Sequence, residues 1–277
     1  MAEERVPRGR IAQRLRLAPG QRVRLRDAQA AERLGWDEDE AKRALDANRE
    51  RLEQLQYKMY ADGRFGLIVL LQAIDAGGKD GTIRHVVSAF NPGGVQVTSF
   101  KAPSPEEARH DYLWRVEARI PPRGMVGVLN RSHYEEVMAA RVRRLVPRGT
   151  WEARYAHINA YERYLTDNRL RLVKLFLQIS KKEQKRRFEA RVRERHKQWK
   201  FTPSDIADRA QWGRYHRAFE DALCHCGSAW APWYLIPADH KWFRNFAVSQ
   251  ILREELEALP LRFPRPEYDP RKIRIPD

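Results

Sequence analysis

Between Ala73 and Thr82 the chain reads Ala-Ile-Asp-Ala-Gly-Gly-Lys-Asp-Gly-Thr. This clustering of glycine, carboxylate and lysine suits phosphate chemistry. Backbone N–H groups of a turn that opens a helix point into one concavity, and the helix dipole adds partial positive charge there. Gly77, Gly78 and Gly81 let the main chain approach phosphate oxygens without Cβ atoms in the way. Lys79 can set an ammonium against a transferred phosphoryl group. Asp75 can hold Mg²⁺, directly or through water, or orient an acceptor phosphate. The common motif is G-x-x-x-x-G-K-[ST]. Here Ala73 stands at the first glycine and Asp80 at the metal-binding hydroxyl, so a metal must lean on carboxylates.

Two further segments could complete such a site. Asn130-Arg131-Ser132-His133-Tyr134-Glu135-Glu136 gathers a guanidinium and two carboxylates. With a helix starting near Ser132, Glu135 and Glu136 fall in its first turn, where they can also simply complement the dipole. His133 reads as structural. The other segment carries Arg191, Arg193, Arg195, Lys197 and Lys200 with Trp199 and Phe201 interleaved. Such a basic stretch can close as a lid that excludes water and delivers arginines, or it can be a solvated helix face.

The elements that must position these groups are legible. Gly66–Gln72 is a near-continuous apolar run, as expected for a strand buried on both faces of a parallel sheet. Beyond the glycines, Ile83, Val86, Val87 and Phe90 fall on one helical face. Further strands are predicted at 95–100, 125–129, 172–179 and 233–237. Helices are predicted at 37–60, 104–120 (with Ser104 as N-cap), from Ser132 through Leu145, at 151–167, 182–195 and 241–259. Alternating strands and helices predict a three-layer α/β/α domain with a central parallel sheet. Residues 1–36 read as a basic, partly ordered arm with little periodicity. Residues 37–260 form the P-loop domain, with a lid at about 183–215, and 261–277 a proline-rich tail.

With 277 residues, 42% hydrophobic and 10% aromatic, the chain can bury one large core. Its formal net charge of +16 predicts attraction to polyanions. Nucleic acid is the commonest, but no helix-turn-helix, zinc-finger or RNP-like signature is present. Cys224 and Cys226 flank His225, too few ligands at the wrong spacing for structural zinc. Met1–Arg10 lacks an apolar h-region, and no apolar run approaches the roughly 18 residues of a membrane span. A cytoplasmic protein with reduced thiols and no membrane partner is expected.

With these residues in view, the chain resembles the polyphosphate kinase type 2 family. The resemblance rests on Ala73–Thr82, on Asn130-Arg131-Ser132-His133-Tyr134-Glu135 and on Trp199-Lys200-Phe201. Ala231-Pro232-Trp233-Tyr234 and Ile236-Pro237-Ala238 add to it, and matching segments run from about Leu52 to Leu259. It implies a thymidylate-kinase-like P-loop fold with a helical lid. It also implies Mg²⁺-dependent transfer from inorganic polyphosphate to AMP or ADP, without a nucleic-acid partner. Asp75, Lys79, Arg131 and Arg191 would be catalytic. Ala76, Gly77, Gly78, Lys79, Asp80, Gly81, Thr82, Arg84 and Lys200 would bind phosphate. Asn130, Arg131 and Glu135 would serve the nucleotide side, and Asp75, Glu135 and Glu136 the metal. Many relatives carry Asp-Arg-Ser where this chain has Asn130-Arg131-Ser132, and the Asn form looks like the subgroup acting on nucleoside mono- and diphosphates. Glu136 stands where close relatives tend to have aspartate. The resemblance also suggests a homo-oligomer, dimer or tetramer. A nucleotide-donor kinase, or a nucleic-acid-binding module with a degenerate P-loop, are the competing readings.

Overall fold

The structure is a computed structural model describing residues 11–276. In chain order the α-helices are α1 (Ile11–Leu15), α2 (Asp27–Ala30), α3 (Glu38–Asp62), α4 (Lys79–His85), α5 (Trp114–Glu117) and α6 (Ala139–Val142). They continue with α7 (Arg148–Asp167), α8 (Lys181–Arg193), α9 (Pro203–Ala210), α10 (Trp212–His225) and α11 (Lys241–Glu257). The strands are β1 (Gly66–Gln72), β2 (Val95–Ser99), β3 (Val126–Asn130), β4 (Leu170–Gln178) and β5 (Trp233–Pro237).

All four strand pairings are parallel, in the order β2-β3-β1-β4-β5. β1 is central and buried along its whole length, as its apolar run requires. Alternate residues serve opposite faces. Leu67, Val69, Leu71, Val173 and Leu175 join Leu52, Leu55 and Met59 of α3 and Ile251 and Leu252 of α11 in the main apolar cluster. Ile68, Leu129 and Leu172 meet Leu165 of α7 in a smaller one. The three layers expected from the sequence are therefore present.

Caps fix the element ends. Asp37 accepts the Glu40 amide at 2.8 Å to open α3, and Gly63 closes it in the left-handed region at φ 67°. Ser180 accepts the Glu183 amide at 3.1 Å at the start of α8.

Two expectations need correction. The helix over 104–120 breaks into a 3₁₀ turn (Glu107–Arg109) and the single-turn α5. The Ser104 and Glu107 amides each donate to the other's side chain, but the Asp111 carboxylate then takes the amides of Leu113 and Trp114 at 2.9 and 3.2 Å and starts a new turn. The helix from Ser132 is a 3₁₀ turn, His133–Glu136, followed by the short α6, and Arg144 leaves the helical region at φ 56°. Of the arm, residues 11–36 are described. Residues 1–10 lie outside the described residues, but Ile11, Leu15, Leu17 and Leu25 are buried. Arg16 forms an antiparallel bridge to Tyr234, and the Leu17 amide donates to the Trp233 carbonyl at 2.9 Å. Among the described residues no helix is long and apolar enough to cross a membrane.

Candidate active site

The site lies at the carboxyl ends of β1 and β3, where an open parallel sheet presents its ligand crevice. β1 ends at Gln72 and the chain turns through Ala73–Gly78 into α4, whose first residue is Lys79. The turn is tight. Ala76 sits at φ 62° and Gly78 at φ 106°. A Cβ on Gly77 would lie 2.4 Å from that of Ala73 and 2.8 Å from the Ile74 carbonyl oxygen. Gly78 and Gly81 face the guanidinium of Arg244 from α11, where added Cβ atoms would come within 2.1 and 2.9 Å.

The Lys79 ammonium is buried and donates to the Ala73 carbonyl at 3.0 Å. Burial, reinforced by the Arg131 charge, pulls its pKa down to about 8 against the opposing pull of Asp75, Glu135 and Asp80. Arg131, in the left-handed region at φ 66°, donates to Asp75 at 2.5 Å and to Glu135 at 3.1 Å. Burial works to raise the Asp75 pKa, yet Arg131 and Lys79 together hold it below the ordinary carboxylate value. Glu135, then Asp75, holds the guanidinium firmly protonated against its burial. Asp80 accepts from the Asn130 amide at 3.0 Å and faces the Lys200 ammonium at 3.6 Å, so it links loop, β3 and lid.

The basic segment expected to act as a lid continues from α8. Arg191 donates to the Lys200 carbonyl at 3.2 Å and faces Asp205 at 3.9 Å. Phe188 and Phe201 pack edge to face at 5.7 Å, while Trp199 is exposed.

One cleft of about 880 Å³ brings the groups together. Asp75, Ala76, Gly77, Gly78, Lys79, Asp80 and Gly81 line its floor, Asn130 and Arg131 one wall, and Arg191 and Lys200 the lid side. Thr82 does not reach it: the side chain is buried and Oγ1 donates to the Gly78 carbonyl at 3.2 Å. Arg84 is not among the lining residues. Glu135 touches the site through Arg131. Glu136 turns away to pair with Arg154 at 2.7 Å, which argues against its expected metal role.

Several participants were not singled out from sequence. Arg186, Arg187, Lys241 and Arg244 add further cations to the cleft. Arg187 donates to the Ala76 carbonyl at 2.8 Å and Gln184 to that of Asp75 at 3.0 Å, so the root of the lid pins the loop. Burial, with Arg187 nearby, lowers the Arg244 pKa to about 10. The Gln72 amide, turned to donate to Glu135 at 3.0 Å, accepts from Ser132 and fixes that carboxylate. Beneath the Arg131 segment lies a buried network. Lys174 donates to Glu162 at 2.5 Å, to the Tyr134 hydroxyl at 3.0 Å and to the Cys226 carbonyl at 2.7 Å. Tyr134 donates to Glu162 at 2.7 Å, and His133 sits 3.3 Å from the same carboxylate, in the structural role expected of it.

Among the described residues no three His, Cys, Asp or Glu side chains gather as a ready metal cage. Asp75 and Glu135, converging on Arg131, are a donor set suited to Mg²⁺, which takes one or two carboxylates and completes its shell with phosphate oxygens and water.

A parallel sheet, a glycine-rich loop opening a helix, a buried lysine and a basic lid define a P-loop phosphotransferase. The profile of the family described as Polyphosphate kinase 2 matches residues 35–263, and the chain belongs to that family. It is thus a polyphosphate kinase. It is 47% identical over 232 residues to the AMP/ADP-polyphosphate phosphotransferase of Meiothermus ruber, covering 84% of this chain and 87% of that one. It is 44% identical to the ADP-polyphosphate phosphotransferase of Rhodopseudomonas palustris, over 78% of each chain. The crystal structure of polyphosphate kinase 2 from Arthrobacter aurescens TC1 superposes with a TM-score of 0.88 at 40% identity, covering 94% and 93% of the two chains.

Proposed function

We propose that this chain moves the terminal phosphoryl group of inorganic polyphosphate directly to AMP and to ADP, giving ADP and ATP. The observation that carries the reading is the group of cations gathered around one phosphate loop. Arg131 stands on the β3 side, and Arg186, Arg187, Lys241 and Arg244 on the α8–α11 side. A mononucleotide needs only a few cations, whereas a chain of phosphates needs a run of them.

Lys79 and the loop amides hold the phosphoryl group in place. Arg131 and Arg191 supply positive charge where it develops in transfer, and Asn130 and Arg131 orient the acceptor phosphate. Mg²⁺, held by Asp75 and Glu135, would neutralise phosphate charge. No side chain needs to be phosphorylated, because the reaction is positioning and electrostatics. The chemistry is reversible, since the bond broken in polyphosphate and the bond formed in ADP or ATP are both phosphoanhydrides.

Purified protein with Mg²⁺, AMP or ADP and long-chain polyphosphate should yield ADP and ATP. A protein that makes neither, yet phosphorylates the acceptor from a nucleotide triphosphate donor, would be a nucleotide-donor kinase instead.

A further inference from the structure

The strap Gln21-Arg22-Val23-Arg24-Leu25-Arg26 plays no part in the site described above. It runs without helix between α1 and α2, and its side chains alternate. Leu25 is buried and Val23 is packed on the main cluster, while Arg22, Arg24 and Arg26 are all exposed. Alternation at the rise of extended chain spaces the three guanidinium stems about 6–7 Å apart along one edge.

None of the three arginines has a carboxylate partner among the described residues. The carboxylates that touch the strap are spent on backbone amides: Glu220 accepts from Leu25 at 2.8 Å, and Asp27 from Lys181 at 3.2 Å. Gln178 donates to the Arg26 carbonyl at 2.8 Å, so the strap is fixed to the end of β4. Its backbone is therefore already fixed, and a ligand need order only the arginine side chains. The strap ends against the first turn of α8, which exposes Lys181 and Lys182 and then runs up to Arg186 and Arg187 in the cleft. Positive charge predominates from the strap to Arg186 and Arg187, with Asp27 and Glu183 the carboxylates along the way; Glu183 pairs with Arg186 at 2.6 Å and Arg187 at 2.7 Å.

We propose that Arg22, Arg24 and Arg26 form an outer docking rail for the polyphosphate chain, holding phosphates remote from the reacting end. The inference rests on the donor reading above. A nucleic acid is the other polyanion that could lie here, but the strap exposes no aromatic side chain for base stacking. Its continuity with the cleft favours the chain that reacts there.

The test compares the wild type with the triple variant Arg22→Gln, Arg24→Gln, Arg26→Gln. The donors are long-chain polyphosphate and an oligophosphate too short to extend beyond the cleft. Loss of three phosphate contacts should raise KM for the long chain about tenfold and flatten its dependence on log salt by about two units of slope. The oligophosphate KM, the nucleotide KM and kcat should stay as in the wild type, as should the melting midpoint. A long-chain KM within twofold of wild type overturns the rail, and so does an equal rise for both donors. Single-stranded DNA or RNA binding that is lost in the variant while the long-chain KM is unchanged assigns the strap to nucleic acid instead. Equilibrium binding of long-chain polyphosphate without nucleotide separates the two readings. Weaker binding by the variant supports the rail even if the wild type fails to turn over, and equal binding overturns it.

Discussion

Arg131 reaches from the end of β3 to the end of β1 and sets its guanidinium 2.5 Å from the Asp75 carboxylate. Its other arm holds Glu135 at 3.1 Å. With the Lys79 ammonium beside them the charges of Arg131, Asp75 and Glu135 balance, so an arriving phosphate and its cation must partition them anew: the anion takes the cationic groups, the cation the carboxylates. Asp75→Asn keeps the shape and removes the charge that this exchange requires. Transfer should fall by about 10²–10³ in kcat, with the melting midpoint shifted by only a few degrees. Initial rates of ADP formation and thermal unfolding check this together. A variant with most of its activity intact would move the chemistry away from Asp75.

Arg191 is held inside the lid by the Lys200 carbonyl and Asp205. Its charge also reaches Asp75, helping to lower that pKa. Arg191→Ala should therefore lower kcat by about 10² or more while leaving the nucleotide KM near wild type, as expected for a cation that acts mainly in the transition state. Arg191→Lys should recover little, because an ammonium lacks the planar fork. A rate unchanged in Arg191→Ala would remove the lid from the mechanism.

The loop was legible in sequence despite its departures from the common motif, because a strand, a glycine turn and a helix form one local unit. Ala73 is tolerated at the first glycine position, and the steric demand is met at Gly77, which packs directly on it. What the sequence hid depends on contacts distant along the chain. Arg187 and Arg244 look like ordinary helix-surface cations, and only folding brings α8 and α11 against the glycines. Glu136 looked like a metal ligand until α7 supplied Arg154. Asp111 broke an otherwise acceptable helical run through its own side chain. The arm shows little periodicity in sequence because Ile11 and Leu15 sit in a single short helix while Val23 and Leu25 follow the period of extended chain between arginines.

Lys79 carries a cost to folding. Burial first, then the Arg131 charge, lowers its pKa from the ordinary 10.5 to about 8. Between these values the unfolded chain holds the proton and the folded chain has released it, so folding stability rises with pH through that window. The penalty is present in full below pH 8 and amounts to about 3 kcal/mol. Lys79→Met should abolish transfer yet raise the melting midpoint at pH 7, and the gain should shrink at pH 9–10. The kcat/KM of the wild type should decline above about pH 8 as the free enzyme loses the ammonium. A less stable Lys79→Met protein at pH 7 would contradict the assigned penalty.

The buried pair Lys174–Glu162 lies under the segment that carries Arg131 and Glu135, and it touches that segment through Tyr134. Both side chains are almost wholly excluded from water. Burial works to raise the Glu162 pKa, and Lys174 with His133 outweighs it and keeps the carboxylate ionised. Removing either partner leaves an uncompensated buried charge, so Glu162→Gln and Lys174→Met should each cost about 3–5 kcal/mol. The double variant has no such charge and should cost clearly less than the sum of the two singles. Urea unfolding of the four proteins measures this coupling. Additive losses would mean that the two side chains do not depend on each other. Tyr134→Phe keeps the ring in place and deletes only the hydroxyl that ties Arg131's segment to the pair. It should lower kcat about tenfold with little change in either KM, because a small misplacement of Arg131 is felt most where charge develops. An unchanged kcat would confine the network to stability alone.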